Sequence, residues 1–97
     1  MTPTQLFSDK NAVGLLLLLR EESKISSTEL LEVNSCYQTA MRAANLLCNA
    51  GLVERISAPD HRNKVYWQVT EIGMSMADRI YALERDFRKY LKDGKVL

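Results

Sequence analysis

The sequence is poor in the residues that make linkers, staples and metal sites: two prolines, four glycines, two cysteines and a single histidine among 97 residues. With no repeat, no low-complexity tract and no Gly/Pro-rich stretch, it reads as one folded unit of ordinary globular composition. Two cysteines are too few for a disulfide framework, and neither has the paired spacing of a zinc site. Cys36 and Cys48 fall on one predicted helix, separated by roughly 18 Å, which no disulfide spans. They are expected to be reduced thiols, at least partly buried.

A long hydrophobic run is also missing. The longest, Leu15–Leu19, is far shorter than the ~20 residues of a membrane span. No signal peptide is evident. The expectation is a cytoplasmic protein with no membrane partner. Charge of one sign is missing too: 13 basic and 12 acidic residues leave a net charge of +1. Total charge therefore argues for no class of partner. Its distribution is more informative, because residues 35–64 carry four basic against two acidic side chains while residues 1–34 carry three against five.

What is present is a clear run of local signals. Ser8 and Asp9 are N-cap candidates for a helix over about Lys10–Glu22. Its five consecutive leucines cover every face, so it should be buried nearly all round. Ser26 or Ser27 with Glu29 reads as a capping box for a short helix over about Thr28–Val33, burying Leu30, Leu31 and Val33. Lys24-Ile25-Ser26 is extended, a one-bridge strand candidate. Asn34-Ser35 breaks the chain, and Ser35 with Gln38 makes a second capping box for a helix over about Cys36–Ala50. Gly51 stands where a left-handed C-terminal cap is needed.

The period then changes from helix to strand. Leu52–Ser57 and Val65–Val69 read as two strands joined by the polar, turn-rich segment 58–64. Thr70 caps a last helix over about Glu71–Lys92, with Gly94 ending it. The order is helix, short strand, helix, helix, strand, strand, long helix. Two helices joined by a tight turn and followed by a hairpin make an α+β, mostly helical winged helix-turn-helix with a two- or three-stranded wing.

The third helix has two faces. Ala40, Ala44 and Leu47 are small or apolar and should pack across the second helix. Ser35, Tyr37, Gln38, Thr39, Arg42 and Asn45 are hydrogen-bonding side chains on the half that enters the major groove in such folds. Gln38 suits adenine, Arg42 suits guanine or a phosphate, and Ser35 and Tyr37 suit phosphates. No Asp or Glu lies between Asn34 and Ala50, which removes a source of repulsion from phosphate. A solvated helix face would read the same way taken alone. The hairpin adds Arg55 on a strand and His61, Arg62 and Lys64 around the tip. Arg62 fits a minor groove, whose narrow width concentrates negative potential, with Asp60 beside it as an orienting carboxylate. The expected partner is double-stranded DNA.

Three stretches together resemble the MarR-type regulators: Gly51-Leu52-Val53-Glu54-Arg55, Pro59-Asp60-His61-Arg62 and Val69-Thr70-Glu71-Ile72-Gly73. That family shows a Gly-Leu-Val start to the wing, an Asp-x-Arg wing tip and a Leu-Thr-x-x-Gly start to the next helix. Val69 stands where leucine is usual. The resemblance covers about Ser26 to Ile80. It implies that the third helix is the recognition helix and that Arg62 is a minor-groove residue. The family's second C-terminal helix has no counterpart here, so a ligand pocket of its kind is not expected. The pattern is nearer to compact regulators with a single long C-terminal helix.

In that last helix Met76, Ile80, Leu83, Phe87 and Tyr90 repeat at four-three spacing, an a/d seam, widened by Ala77, Tyr81 and Leu91. About 22 residues span roughly 33 Å, longer than a small winged-helix body is wide. The seam predicts a homodimer, with the leucine-rich first helix contributing; folding back over that first helix is the alternative. Residues 1–70 are thus read as the DNA-binding part and 71–97 as a dimerisation helix of the same structural domain.

As an enzyme the sequence is poor, with one histidine, no nucleophile motif and no phosphate-cradling glycine loop. No metal or cofactor is expected, an ArsR-type metal sensor lacking its ligand set, and the sequence leaves open whether a small-molecule effector is sensed. Cys36 at a helix N-terminus is a candidate redox thiol. The competing reading is a winged-helix module for protein–protein contact, to which the adjacent aromatics Tyr66 and Trp67 would contribute one outward ring.

Overall fold

The computed structural model describes residues 3–58 and 64–93. A short helix α1 (Pro3–Phe7) leads into α2 (Lys10–Glu22), strand β1 (Lys24–Ser26), a 3₁₀ turn (Thr28–Glu32), α3 (Tyr37–Asn49), strands β2 (Val53–Ala58) and β3 (Lys64–Val69), and α4 (Glu71–Lys92). The strands form one antiparallel sheet in the order β1-β3-β2. Helices α2 and α3 lie against it, and the first part of α4 packs on α2 and β3. The architecture is the mostly helical α+β winged helix-turn-helix read from the element order, with a three-stranded wing. Among the described residues no helix is long and apolar enough to cross a membrane.

Local chemistry accounts for most element boundaries. Asp9 caps α2, its carboxylate accepting the Asn11 and Ala12 amides at 2.9 and 3.1 Å. Along α2, Ala12, Leu15, Leu16 and Leu19 are fully buried, while Leu17 and Leu18 are half-buried. The leucine run is therefore the centre of the core. Ser26 and Glu29 form the reciprocal capping box: the Ser26 amide donates to Glu29 Oε1 at 3.1 Å and the Glu29 amide to Ser26 Oγ at 3.3 Å.

The short helix this box starts is of the 3₁₀ kind, over Thr28–Glu32. The Leu30 amide donates to the Ser27 carbonyl and the Val33 amide to the Leu30 carbonyl, both three residues back. With about three residues per turn, Leu30 and Val33 share the inner side. Leu31 turns to water at 45% exposure, contrary to the expectation that it is buried. The second capping box is also absent from the α3 start. Cys36 occupies the cap with no side-chain cap hydrogen bond, and the Asn34 carboxamide oxygen accepts the Cys36 amide at 2.8 Å instead. An Asx turn two residues long closes this corner more tightly than Ser35 can.

Helix α3 ends as its glycine requires. Gly51 has φ +80°, and the Gly51 and Leu52 amides donate back to the Cys48 and Leu47 carbonyls, each at 3.0 Å. This is the Schellman pattern, with Leu47 and Leu52 both buried beneath it. The same corner receives α4. Thr70 Oγ1 donates to the Gly51 carbonyl at 2.8 Å and accepts the Gly73 amide at 3.0 Å, while the Thr70 amide donates to the Leu52 carbonyl. A Cβ on Gly73 would stand 2.0 Å from the Leu52 carbonyl oxygen. The Thr-x-x-Gly spacing is thus a steric need: it locks the end of α3, the base of the wing and the start of α4 into one joint.

Candidate nucleic-acid interface

The inner side of α3 is built from Ala40, Ala43, Ala44 and Leu47, all buried. Their small size lets α3 sit close on α2 as well as on the 3₁₀ turn. The Asn34 amide nitrogen donates to Asn11 Oδ1 at 3.3 Å, tying the corner before α3 to the start of α2. This packing fixes which side chains face out. Ser35, Tyr37, Gln38, Arg42 and Asn45 are exposed, and Thr39 is half-buried. Asn49, also exposed, continues the Gln38–Arg42–Asn45 row by one more turn; continuing the four-three spacing would have found it. Among the described residues, no hydrogen bond engages the side chains of Gln38, Arg42, Asn45 or Asn49. The row is a line of exposed donors and acceptors without protein partners, on a close-packed support.

Cys36 lies at the head of this row and is exposed, where a partly buried thiol was expected. The residue opens a turn that no element covers. The Thr39 hydroxyl, then the Thr39 and Gln38 amides and the Arg42 charge, hold its thiol below the usual range, against a smaller opposing effect of desolvation. Cys48 is half-buried, and both thiols are free.

On the wing, strand register decides what faces where. Ile25, Trp67 and Arg55 are cross-strand neighbours, so Arg55 shares the sheet face of the buried Ile25 and Trp67, the face turned toward the helices. Arg55 itself is exposed, on one of the two edge strands. Lys64, exposed at the start of β3, pairs with Ala58 on the opposite face. Asp60, His61 and Arg62 lie outside the described residues.

The adjacent aromatics divide between the two faces of the sheet, Trp67 inward and Tyr66 outward. Trp67 is fully buried, its indole N–H donating to Ser27 Oγ at 3.1 Å. Tyr66 is half-buried, with the Lys24 ammonium 5.1 Å from its ring centroid. The inner face of a sheet needs a large apolar filler opposite α2, and an indole with a satisfied N–H provides it.

The apolar seam of α4 divides in two. Met76 and Ile80 are half-buried against the core, whereas Leu83, Phe87 and Tyr90 are exposed. Part of the stripe therefore does fold over α2. Arg20 of α2 anchors that contact, its guanidinium donating to Asp78 at 2.8 Å and lying 3.9 Å from the Tyr81 ring centroid. The rest of α4 extends past the body, giving a molecule 54 Å long and 25 × 24 Å across.

No family model matches the chain, and no curated protein matches it. Solved structures do. The transcriptional regulator homologue protein from Pyrococcus horikoshii OT3 superposes with a TM-score of 0.76 at 19% identity, over 98% of this chain and 92% of that one. An apo double mutant of Lactococcus lactis ZitR superposes with a TM-score of 0.69 at 22% identity, over 94% of this chain and 68% of that one. At these identities the likeness shows the fold, and it extends over nearly the whole chain, including α4.

Proposed function

We propose that the chain is a sequence-specific, double-stranded DNA-binding transcriptional regulator acting as a cytoplasmic homodimer. In this reading α3 lies in the major groove and the segment 58–64 reaches the minor groove. The observation that carries it is the exposed row Gln38–Arg42–Asn45: unengaged hydrogen-bonding side chains, no acid along α3, and a close-packed alanine face behind them. Gln38 and Arg42 read bases, Ser35 and Tyr37 hold phosphates, and Arg55, His61, Arg62 and Lys64 line the wing. The description of the Pyrococcus protein as a transcriptional regulator homologue supports the same reading. Of the predicted seam, Leu83, Phe87 and Tyr90 serve as the contact between copies, while Met76 and Ile80 pack largely within their own chain.

The test is selection of bound sequences from a random duplex pool, followed by affinity against salt. The expected result is an inverted repeat, with binding that falls steeply as salt rises. A flat salt response, or no enrichment, overturns the reading. The protein–protein module would rest on Tyr66, half-buried on the outer face of the wing, and on the distal apolar stripe of α4, which a second copy accounts for.

A further inference from the structure

Helix α4 outlasts the body it packs on. Ala77 is buried, but Leu83, Phe87, Tyr90 and Leu91 are 71%, 58%, 44% and 47% exposed. At about 100° per residue these four fall within one sector roughly 100° wide. Four large apolar side chains on one face of about two and a half turns form a continuous patch, and such a patch marks an interface. The charges beside it specify how. One flank carries Arg79, Asp86 and Asp93; the other carries Glu84. Among the described residues Arg79 has no ion-pair partner, and Glu84 is held only by Arg88 of its own helix.

We infer that two copies pair through α4 in parallel, C-termini together, with Arg79 of each facing the partner's Glu84. This rests on the homodimer reading above and adds its orientation. In a parallel pair each apolar layer meets its own copy, and the residue preceding a layer on one flank faces the residue about five positions on in the other chain. Arg79 then meets Glu84 twice by symmetry, and Asp86 meets Leu91 without a clash. An antiparallel pair covering the same four apolar residues sets Asp86 against Asp86 and Glu84 against Glu84, offset only by Arg79 with Asp93. Sliding that pair by one heptad matches Arg79 with Asp86. It also stacks Phe87 on Met76, already half-buried in its own core, and aims Tyr90 at Gly73, which is buried. The parallel pair covers the exposed residues with no like charges opposed, its Arg79–Glu84 pairs flanking the edge of the contact, where Ile80 is half-buried in its own chain.

The experiment is dimer dissociation by sedimentation equilibrium on the full chain, with thermal unfolding as the control for folding. Arg79 and Glu84 are both exposed, so their reversal leaves the monomer folded. Arg79→Glu alone is expected to weaken the dimer roughly ten-fold, as attractive pairs become repulsive. Arg79→Glu with Glu84→Arg is expected to restore it. Restoration by Arg79→Glu with Asp86→Arg instead, or no coupling in either double variant, overturns the parallel arrangement while leaving the dimer standing. A wild-type chain that stays monomeric at high concentration overturns both. As an independent arm, Tyr90→Cys in a chain with its native cysteines replaced by serine should oxidise to a covalent dimer. In the antiparallel pair centred on Arg85 these positions lie roughly 15 Å apart, and no disulfide forms.

Discussion

Helices α3 and α4 each leave one face in water, and the two faces are opposites. The outer face of α3 is polar and sits on an inner face of three alanines and a leucine, so it is held close and still. The outer face of α4 beyond Tyr81 is apolar and has nothing behind it. A line of hydrogen-bonding groups on a rigid support suits a polar, charged groove. A line of Leu, Phe and Tyr on a projecting arm suits another apolar surface. Both surfaces are readable only because the same body supports them: the joint at Gly51, Leu52, Thr70 and Gly73 fixes the direction of α4 relative to α3.

The sharpest break in that comparison is Leu83→Glu. Removing two leucines from the contact between copies and placing charge there should weaken association by about 3–6 kcal/mol, two or more orders of magnitude in the dissociation constant. Because Leu83 is 71% exposed, the monomer should unfold within about 0.5 kcal/mol of wild type. A large fall in monomer stability would show that the residue packs within its own chain. Next in size is Gly73→Ala. Its methyl group has no room beside the Leu52 carbonyl, so the joint should shift and stability fall by about 1–3 kcal/mol. Binding to an inverted repeat should then drop more than binding to a half-site. Equal losses would uncouple α4 from α3.

On the polar face, Gln38→Ala or Arg42→Ala should cost about 1–3 kcal/mol and relax preference at one base pair. A uniform loss across sequences would make these residues phosphate contacts instead. The smallest expected effect is Arg62→Ala. It should weaken DNA binding and lower the salt slope by about one, with thermal stability unchanged. Unaltered binding would take the wing out of the mechanism.

Much of this molecule was legible in the sequence wherever the cause was local. Asp9, the Ser26–Glu29 box, Gly51 and Thr70 each act within a few residues, and the elements begin and end beside them. The leucine run announced the core helix, and the four-three spacing announced the seam. Other features were not legible. Leu31 and Cys36 ended in water, and Asn34 rather than Ser35 closed the corner before α3. Trp67 went inward and donates its indole N–H to Ser27, 40 residues away. The Met76–Tyr90 stripe looked uniform but is half inside its own fold. In each case the missing information was what stood across from the residue.

Periodicity, caps and a glycine at positive φ depend on neighbours along the chain, so the sequence alone determined the helices 10–22 and 71–92, the wing strands and the polar row on α3. Where the body ends beneath α4, which ring faces α2, and which flank of α3 remains open depend on surfaces brought together from distant positions. Those were decided only by tertiary packing, because burial belongs to a pair of surfaces and never to one residue.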